Sequence, residues 1–503
     1  MKKIFQLNEI PDHLNTLRKK NKIVLCHGVF DLVHYGHILH FQSAKKFGDY
    51  LVVSVTKDKF IKKGPGKPLF NSDIRMKFLS SLKIIDCIVE SNTNSSIDII
   101  NLVKPNVYVK GPDYKKLKDD KSKKIILEKK TVEKYGGIIK FTSDKTFSSS
   151  SIINSTGLLF NEEQRKFLDK IKKNYGVDYI LKKFSEFKNL KVLVLGELIF
   201  DNYIYGDVIG KAGKEPHLVI DTKQSEYYVG GGGAIARHLQ TFVKKINFIS
   251  NVGAEKMLLT EIKKSFNKNI LFKSINPYKK FNSIVKSRYV DISSGYKMFG
   301  AYKLPAKPDT AYHNLFEREV KKIKINDMLV IIADYGHNLL PYEKIKKYLN
   351  KAKCISVNCQ INSSSIGSHN ISKYERVDIL IINEAELRFE EKNQTSDIEQ
   401  IIENFSKKLK IKNIILTRGK KGSIYFKNNK FYYCPAFAVK SIDKVGAGDA
   451  MLSISSLAKF SNLDPELILF LGSLAASISV QSSGNKNSVN YFELTNLIEY
   501  ILK

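Results

Sequence analysis

Asp443-Lys444-Val445-Gly446-Ala447-Gly448-Asp449-Ala450 reads as a glycine-rich turn that opens a helix and carries a carboxylate at either end. The small residues at 446, 447 and 448 let several backbone N–H groups point at one spot. The helix behind them adds partial positive charge, and together they make an anion site. Asp449 stands where a base can take the proton of a hydroxyl that attacks a phosphoryl group. A helix N-cap after a tight turn is the plainer account of the glycines, and the Asp on both sides weighs against it. A Walker A loop is not on offer elsewhere. Gly206 to Lys211 is one residue short of it and Ala212 is neither Ser nor Thr, so that glycine pair is expected to mark a turn into a lid.

Outward from this turn the chain alternates strands and helices. Lys191-Val192-Leu193-Val194-Leu195-Gly196-Glu197, Leu329 to Asp334, Ile379 to Asn383 and Ile414 to Gly419 are apolar runs of strand length. Alternation of this kind implies a parallel sheet covered on both faces. His217 to Tyr228 and Ser283 to Leu304 read as strands without helices between them, a small β-lid over the second domain's site. Asn161 to Phe187 is charged, helical in period and poor in glycine, and reads as a connector, so a domain boundary is expected near residue 188.

The N-terminal part has the same alternation. Lys22 to Val29 and Tyr50 to Val55 read as buried strands, Ile84 to Val89 and Val107 to Val109 as shorter ones, and Gly137 to Phe141 closes the unit. Helical patterns run over Ile38 to Phe47 and Asn71 to Leu82. Between the first strand and helix stands His34-Tyr35-Gly36-His37. Two imidazoles three apart at a helix start can both face one ligand. Gly36 lets a phosphate approach the backbone, and the helix terminus adds to the stabilisation of charge on phosphorus. The alternatives are a pair of capping histidines or a metal pair, and no third ligand of suitable spacing stands nearby. Four consecutive hydroxyls, Ser148, Ser149, Ser150 and Ser151, precede another apolar helical pattern and would suit an anion at a helix start.

The 503 residues suffice for two or more domains with separate cores. No apolar run is long enough for a bilayer and no signal region opens the chain. Five Cys without a CxxC pair suit a reducing cytoplasm. The formal net charge of +33 invites a nucleic-acid reading. Its carriers, however, are Lys spread over the whole chain, whereas base and phosphate readout favours Arg. A solvated Lys-rich surface accounts for the charge, and its field would also draw in small anionic substrates.

The turn at 443–450 resembles the second signature of the ribokinase-like (PfkB-type) sugar kinases, Asp-Thr-x-Gly-Ala-Gly-Asp, with Lys444 in place of Thr. The likeness covers roughly residues 190–490 and is nearest to the heptose-7-phosphate kinase branch. It implies Asp449 as catalytic base and Gly446, Ala447 and Gly448 as the hold on the transferring phosphate. It implies Asp201, Gly230, Gly231 and Asp334 on the sugar side, Thr417, Arg418 and Gly419 at the nucleotide phosphates, and Asn383 and Glu386 beside Mg2+. The family's Asn after Gly-Gly is absent, with Ala234 and Ile235 in its places, and His337 replaces a Lys.

Gly28-Val29-Phe30-Asp31-Leu32-Val33-His34-Tyr35-Gly36-His37 resembles the nucleotidylyltransferases that include glycerol-3-phosphate cytidylyltransferase and the heptose-1-phosphate adenylyltransferase domain. This resemblance implies His34 and His37 as catalytic residues. It implies nucleotide or phosphate contacts by Gly28, Phe30, Gly36, Lys63, Arg75, Lys110 and Ser148 to Ser151. HxGH also occurs in class I aminoacyl-tRNA synthetases, but their Lys-Met-Ser-Lys-Ser-like loop does not follow.

The expected architecture is α/β with two parallel-sheet domains. Residues 1–155 form a Rossmann-like nucleotidylyltransferase, 156–188 a helical connector, and 189–503 a ribokinase-like domain with a small β-lid. Together the halves resemble the bifunctional enzymes of ADP-heptose synthesis with the domain order reversed. One half would phosphorylate a sugar or sugar phosphate from ATP. The other would join the sugar 1-phosphate to a nucleotide from ATP or CTP and release pyrophosphate. The partners implied are sugar phosphates and nucleoside triphosphates, with no nucleic acid and no membrane, and a homodimer stays open. A CDP-alditol cytidylyltransferase fused to an alditol kinase is the second reading, and a non-catalytic nucleic-acid-binding protein the least favoured.

Overall fold

The computed structural model describes residues 2–61, 68–93, 95–111, 124–143, 160–276, 281–360, 370–438 and 442–502. The chain divides into two compact units, Met1–Asn161 and Glu162–Leu502.

In the first unit the described strands are β1 (Ile4–Phe5), β2 (Ile23–Gly28), β3 (Tyr50–Thr56), β4 (Cys87–Ser91), β5 (Val107–Lys110) and β6 (Ile138–Phe141). They form one sheet in the order β1-β4-β3-β2-β5-β6, and every pairing is parallel. Successive side chains of a strand point to opposite faces, so each strand feeds two cores. Val24 and Cys26 join one cluster with Phe41 and Ala44 of the helix Tyr35–Lys45. Ile23 and Leu25 join the other with Ile99, Ile100 and Val103 of the helix Ser96–Val103. Strand order reverses at β2, whose neighbours are β3 and β5, so a crevice opens beyond its carboxyl end. The run Gly28 to His37 emerges there. The strand expected at Ile84 to Val89 begins only at Cys87, because Ile85 turns into the core from a loop.

In the second unit the strands are β7 (Lys191–Gly196), β8 (Leu198–Lys211), β9 (Leu218–Gly231), β10 (Lys245–Asn251), β11 (Ile270–Ile275), β12 (Ile284–Asp291), β13 (Lys297–Lys303), β14 (Leu329–Asp334), β15 (Cys354–Cys359), β16 (Ile379–Asn383), β17 (Asn413–Thr417), β18 (Ser423–Lys427) and β19 (Lys430–Cys434). The main sheet runs β11-β10-β7-β14-β15-β16-β17-β18-β19, parallel up to β17 and antiparallel beyond. Its order reverses between β7 and β14, which places a second crevice beyond Gly196 and Asp334. A separate sheet, β13-β12-β8-β9, forms the lid.

Only Glu197 separates β7 from β8, so the lid grows directly from the central strand of the main sheet. The other root of the lid ends beside it. Gly232, the first residue of the helix after β9, donates its N–H to the Glu197 carbonyl at 2.9 Å.

Gly206 to Lys211 lies inside β8 and is not a turn. The register with β9 shifts at Tyr205/Gly206 and at Val208/Gly210, so these glycines sit at bulges. A Cβ at Gly206 would come within 2.5 Å of the Asp221 carbonyl.

The stretch read as a connector forms two helices, Glu162–Tyr175 and Val177–Glu186, broken at Gly176, whose φ is +70°. Their apolar faces are committed to the second unit. Phe184 stacks on Tyr491 with centroids 5.2 Å apart, and Phe167 lies 6.1 Å from Phe437. The second unit therefore starts at Glu162, ahead of the boundary expected near 188. All five cysteines are buried and none forms a disulfide. No helix among the described residues is long and apolar enough to cross a membrane.

Candidate active sites

In the second unit a cleft of about 1230 Å³ opens at the crevice between β7 and β14, roofed by lid residues. The glycine-rich turn forms one wall. Gly446 has φ +88° and is the N-cap of the helix Ala447–Phe460, which no side chain caps. Its first backbone N–H groups therefore lack intrahelical partners and lie at the positive end of the helix dipole. A Cβ at Gly448 would meet nothing within 4 Å. The turn thus presents bare backbone to the cleft.

Asp449 lies in the first turn of this helix and is buried. Tyr335, one residue past β14, donates its hydroxyl to Asp449 Oδ1 at 2.6 Å. Burial pushes the Asp449 carboxyl up to about 7. Asp201 adds to that push, and the Tyr335 hydroxyl and the Lys286 ammonium pull the other way. Such a carboxyl takes up a proton readily near neutrality.

The sequence-expected sugar side partly assembles. Asp201 lines the cleft and accepts from Arg288 Nη1 at 2.5 Å and from Asn485 Nδ2 at 2.9 Å. Gly230 is glycine because its Cβ would press on Asp201 Oδ2 at 2.4 Å, and Gly231 has φ +57°. Asp334 is fully buried and does not join the cleft lining. It accepts from Gly336 N at 3.1 Å and Tyr374 OH at 2.5 Å, and pairs with Lys373. It braces the loop after β14, and that loop carries Tyr335.

Thr417, Gly419, Asn383 and Glu386 line the far end of the cleft. Arg418 is outside the lining and pairs with Glu384 at 3.0 Å. Asn383 and Glu386 form a capping box at the start of the helix Glu384–Glu390. Burial pushes the Glu386 carboxyl up to about 7 against the Asn383 hydrogen bonds. A divalent cation nearby would return it to the charged form, so this carboxylate fits a role beside Mg2+. Among the described residues no three His, Cys, Asp or Glu stand together as a protein-only metal centre.

Sequence reasoning missed the lid cations and one acid. Lys286, Arg288 and Lys297 line the cleft from β12 and β13. Lys286 and Arg288, two apart on a strand, share a face, and that spacing was a readable signal. Lys297 and Tyr203 both reach Asp443, at 2.7 and 2.6 Å, and Asp443 also accepts from the backbone of Val445 and Gly484. Glu197 is fully buried and accepts from the N–H of Tyr335, His337 and Leu339 at 3.0–3.2 Å. Burial beside Asp334 pushes its carboxyl up.

In the first unit His34 is the N-cap of its helix. Its Nδ1 accepts from Gly36 N at 3.1 Å, and His37 Nδ1 accepts from His34 N at 3.4 Å. The rings stack with centroids 4.1 Å apart. An Nδ1 that accepts carries no proton, so each neutral ring bears its proton on Nε2. The capping alternative and the ligand alternative are therefore compatible, because they use different ring nitrogens. Phe30, with φ +49°, turns its ring over Gly28, where a Cβ would lie 2.9 Å from it. The Phe30 ring meets His37 edge-on at 5.5 Å.

Two expected phosphate contacts are engaged inside the unit. Arg75 is buried, and donates to the carbonyls of Phe70, Val29 and Thr56 and to Asp58. Lys110 pairs with the buried Glu128 at 2.5 Å. Lys63 and Ser148 to Ser151 lie outside the described residues.

Comparison with known proteins agrees with this division. A family model described as pfkB family carbohydrate kinase matches residues 189–490, and one described as Cytidylyltransferase-like matches residues 25–155. The chain is 35% identical over 154 residues to Bifunctional protein HldE of Desulfatibacillum aliphaticivorans, covering 30% of each. It is 38% identical over 139 residues to Bifunctional protein HldE of Blochmanniella floridana, covering 27% of each. The chain thus spans under a third of the length of these relatives. The solved structure of phosphofructokinase-2 from Escherichia coli in complex with substrates and products superposes with TM-score 0.50 at 16% identity. It covers 63% of this chain and 100% of that one, a likeness of fold.

Proposed function

Because the chain belongs to the pfkB family of carbohydrate kinases and carries a cytidylyltransferase-like domain ahead of the kinase, we propose that it makes an activated sugar in two steps. In the first, a hydroxyl of a sugar or sugar phosphate, heptose 7-phosphate-like, attacks the γ-phosphorus of ATP. The new O–P bond forms as the bond to the β-phosphate oxygen breaks, ADP leaves, and the hydroxyl proton passes to Asp449. The backbone N–H groups at the start of this helix, around Gly446 to Gly448, hold the transferred group. Asn383 and Glu386 would hold Mg2+ through its water, and the ion would neutralise the nucleotide's phosphates. Among the lid cations Arg288 and Lys297 are paired with Asp201 and Asp443, and Lys286 beside them suits an acceptor that already bears a phosphate.

In the second step an oxygen of the 1-phosphate attacks the α-phosphorus of ATP or CTP, and pyrophosphate leaves. An acceptor that entered as a sugar phosphate leaves the first step as a bisphosphate, whose other phosphate a separate phosphatase would hydrolyse before this step. His34 and His37 would donate from Nε2 to the oxygens that gather charge. The order of steps follows from chemistry, since a kinase product that is a sugar 1-phosphate is a nucleotidyl acceptor.

The observation that carries this proposal is the buried Asp449, bonded to Tyr335, at the open end of an uncapped helix. The test is ADP release and pyrophosphate release measured side by side on the full chain. Heptose 7-phosphate is the first acceptor to try, with Asp449→Asn and His37→Ala as paired variants. With the sugar 1-phosphate supplied directly in the pyrophosphate assay, because Asp449→Asn makes none of its own, each variant should lose one release and keep the other. Loss of both releases in either variant would refute the assignment of separate sites.

A further inference from the structure

Asn485 is a polar side chain of the kinase cleft with an incomplete set of bonds. It follows the helix Pro465–Ser479, lines the cleft and is 3% exposed. Its backbone carbonyl accepts from Arg237 Nη1 at 2.6 Å, which fixes the loop. Its Nδ2 donates to Asp201 Oδ2 at 2.9 Å. The amide orientation follows from that bond, because a carboxylate only accepts and the opposite orientation would set oxygen against oxygen. The remaining atom, Oδ1, is buried and has no donor among the described residues. It lies against the phosphate turn, since a Cβ on Gly446 would come within 2.2 Å of it.

A buried amide oxygen without a donor costs free energy that a suitably placed ligand donor removes. This oxygen stands between Asp201, on the acceptor side, and Gly446, on the phosphate side. A ligand reaching both carries hydroxyl donors close to the transferred group. We propose that Asn485 is an acceptor-binding residue. Its Oδ1 takes a hydrogen bond from a sugar hydroxyl, and its Nδ2 keeps Asp201 turned to the same sugar. This rests on the cleft being the kinase site. It commits the acceptor to a polyol with a second hydroxyl beside the one that reacts.

The experiment uses full-length Asn485→Leu, which keeps the branched shape and removes both polar atoms, and Asn485→Ser, which returns a small acceptor. ATP-dependent ADP release is followed with heptose 7-phosphate, fructose 6-phosphate and ribose. The acceptor KM should rise about tenfold or more in Asn485→Leu, the ATP KM should stay near wild type, and Asn485→Ser should recover part of the loss. If Asn485→Leu does not fold, the acceptor KM of Asn485→Ser decides alone. An unchanged acceptor KM would overturn the assignment. So would an equal rise in both KM values with a lowered melting point, or a loss repaired by potassium chloride, which would make the oxygen a cation ligand. Turnover retained by Asp449→Asn beside the expected KM shift would remove the base and leave Asn485 in place. Absence of wild-type turnover with all three acceptors would overturn both.

Discussion

The hydroxyl of Tyr335 and the carboxylate of Asp449 meet at 2.6 Å in a buried corner of the cleft, although 114 residues separate them in the chain. Tyr335 is the donor, so the bond favours the ionised base. Asp201 from β8 opposes ionisation and Lys286 from β12 favours it. In Tyr335→Phe the carboxylate loses its donor and its pKa rises further. The acid limb of the kinase kcat/KM profile, expected near pH 7 in the wild type, should move to higher pH by about one to two units. That range follows from ~1.5–3 kcal/mol for a bond to a charged acceptor. Rates between pH 5.5 and 9 check it, and an unmoved limb would show that the bond does not tune the base.

Replacing the base itself gives a different signature. Asp449→Asn keeps the shape and the bond to Tyr335 but cannot accept the hydroxyl proton. Kinase turnover should fall by ~10²–10⁴ at every pH, with ATP binding retained. Retention of more than about a tenth of the rate would sink the assignment.

The two roles of His34 can be separated. Asn is among the best N-cap residues, so His34→Asn should preserve the helix Tyr35–Lys45 and its melting point to within about 1 kcal/mol. Nucleotidyl transfer should still drop by about 10²-fold, since the amide cannot take the place of an imidazole aimed at phosphorus. Pyrophosphate release beside a melting curve distinguishes the outcomes. Full activity in His34→Asn would reduce His34 to a cap.

Arg75 holds four acceptors at once, three of them backbone carbonyls. Arg75→Leu should destabilise the first unit by about 2–4 kcal/mol, and Arg75→Lys should restore little, since one ammonium cannot span the fork. Kinase rate at low temperature should be untouched. A variant that melts normally but shows a raised nucleotide KM would return Arg75 to phosphate binding.

What could be read from the sequence was what lies close together along it. The strand runs, the turn at 443–450 and the pair at 34 and 37 each fit in a few residues, and their types state their chemistry. Asn485 and Asp201 are 284 residues apart, and nothing local marks either as the other's partner. Glu197 reads as a strand end. Its work appears only when the loop after β14 folds onto it. Arg75 fits a phosphate contact by type, and burial gives it a structural task instead. Gly206 and Gly210 read as a turn because a bulge and a turn ask for the same residue.

Glu197 has one more implication. It is the whole of the link between β7 and the lid strand β8, its carbonyl holds the start of the helix after β9, and its carboxylate holds the loop that carries Tyr335. A lid pinned in this way is a lever with its fulcrum inside the catalytic apparatus. A swing of the lid would turn the residue that fixes Tyr335, so that shutting the cleft and aiming the base would be one motion. The wear mark of such a lever would be local. In Glu197→Gln, hydrogen exchange should quicken at the amides of Tyr335, His337 and Leu339 and at the lid roots together, while the outer strands of the sheet keep their protection. Exchange that quickens at one of these places alone would mean that the lid and the base move independently.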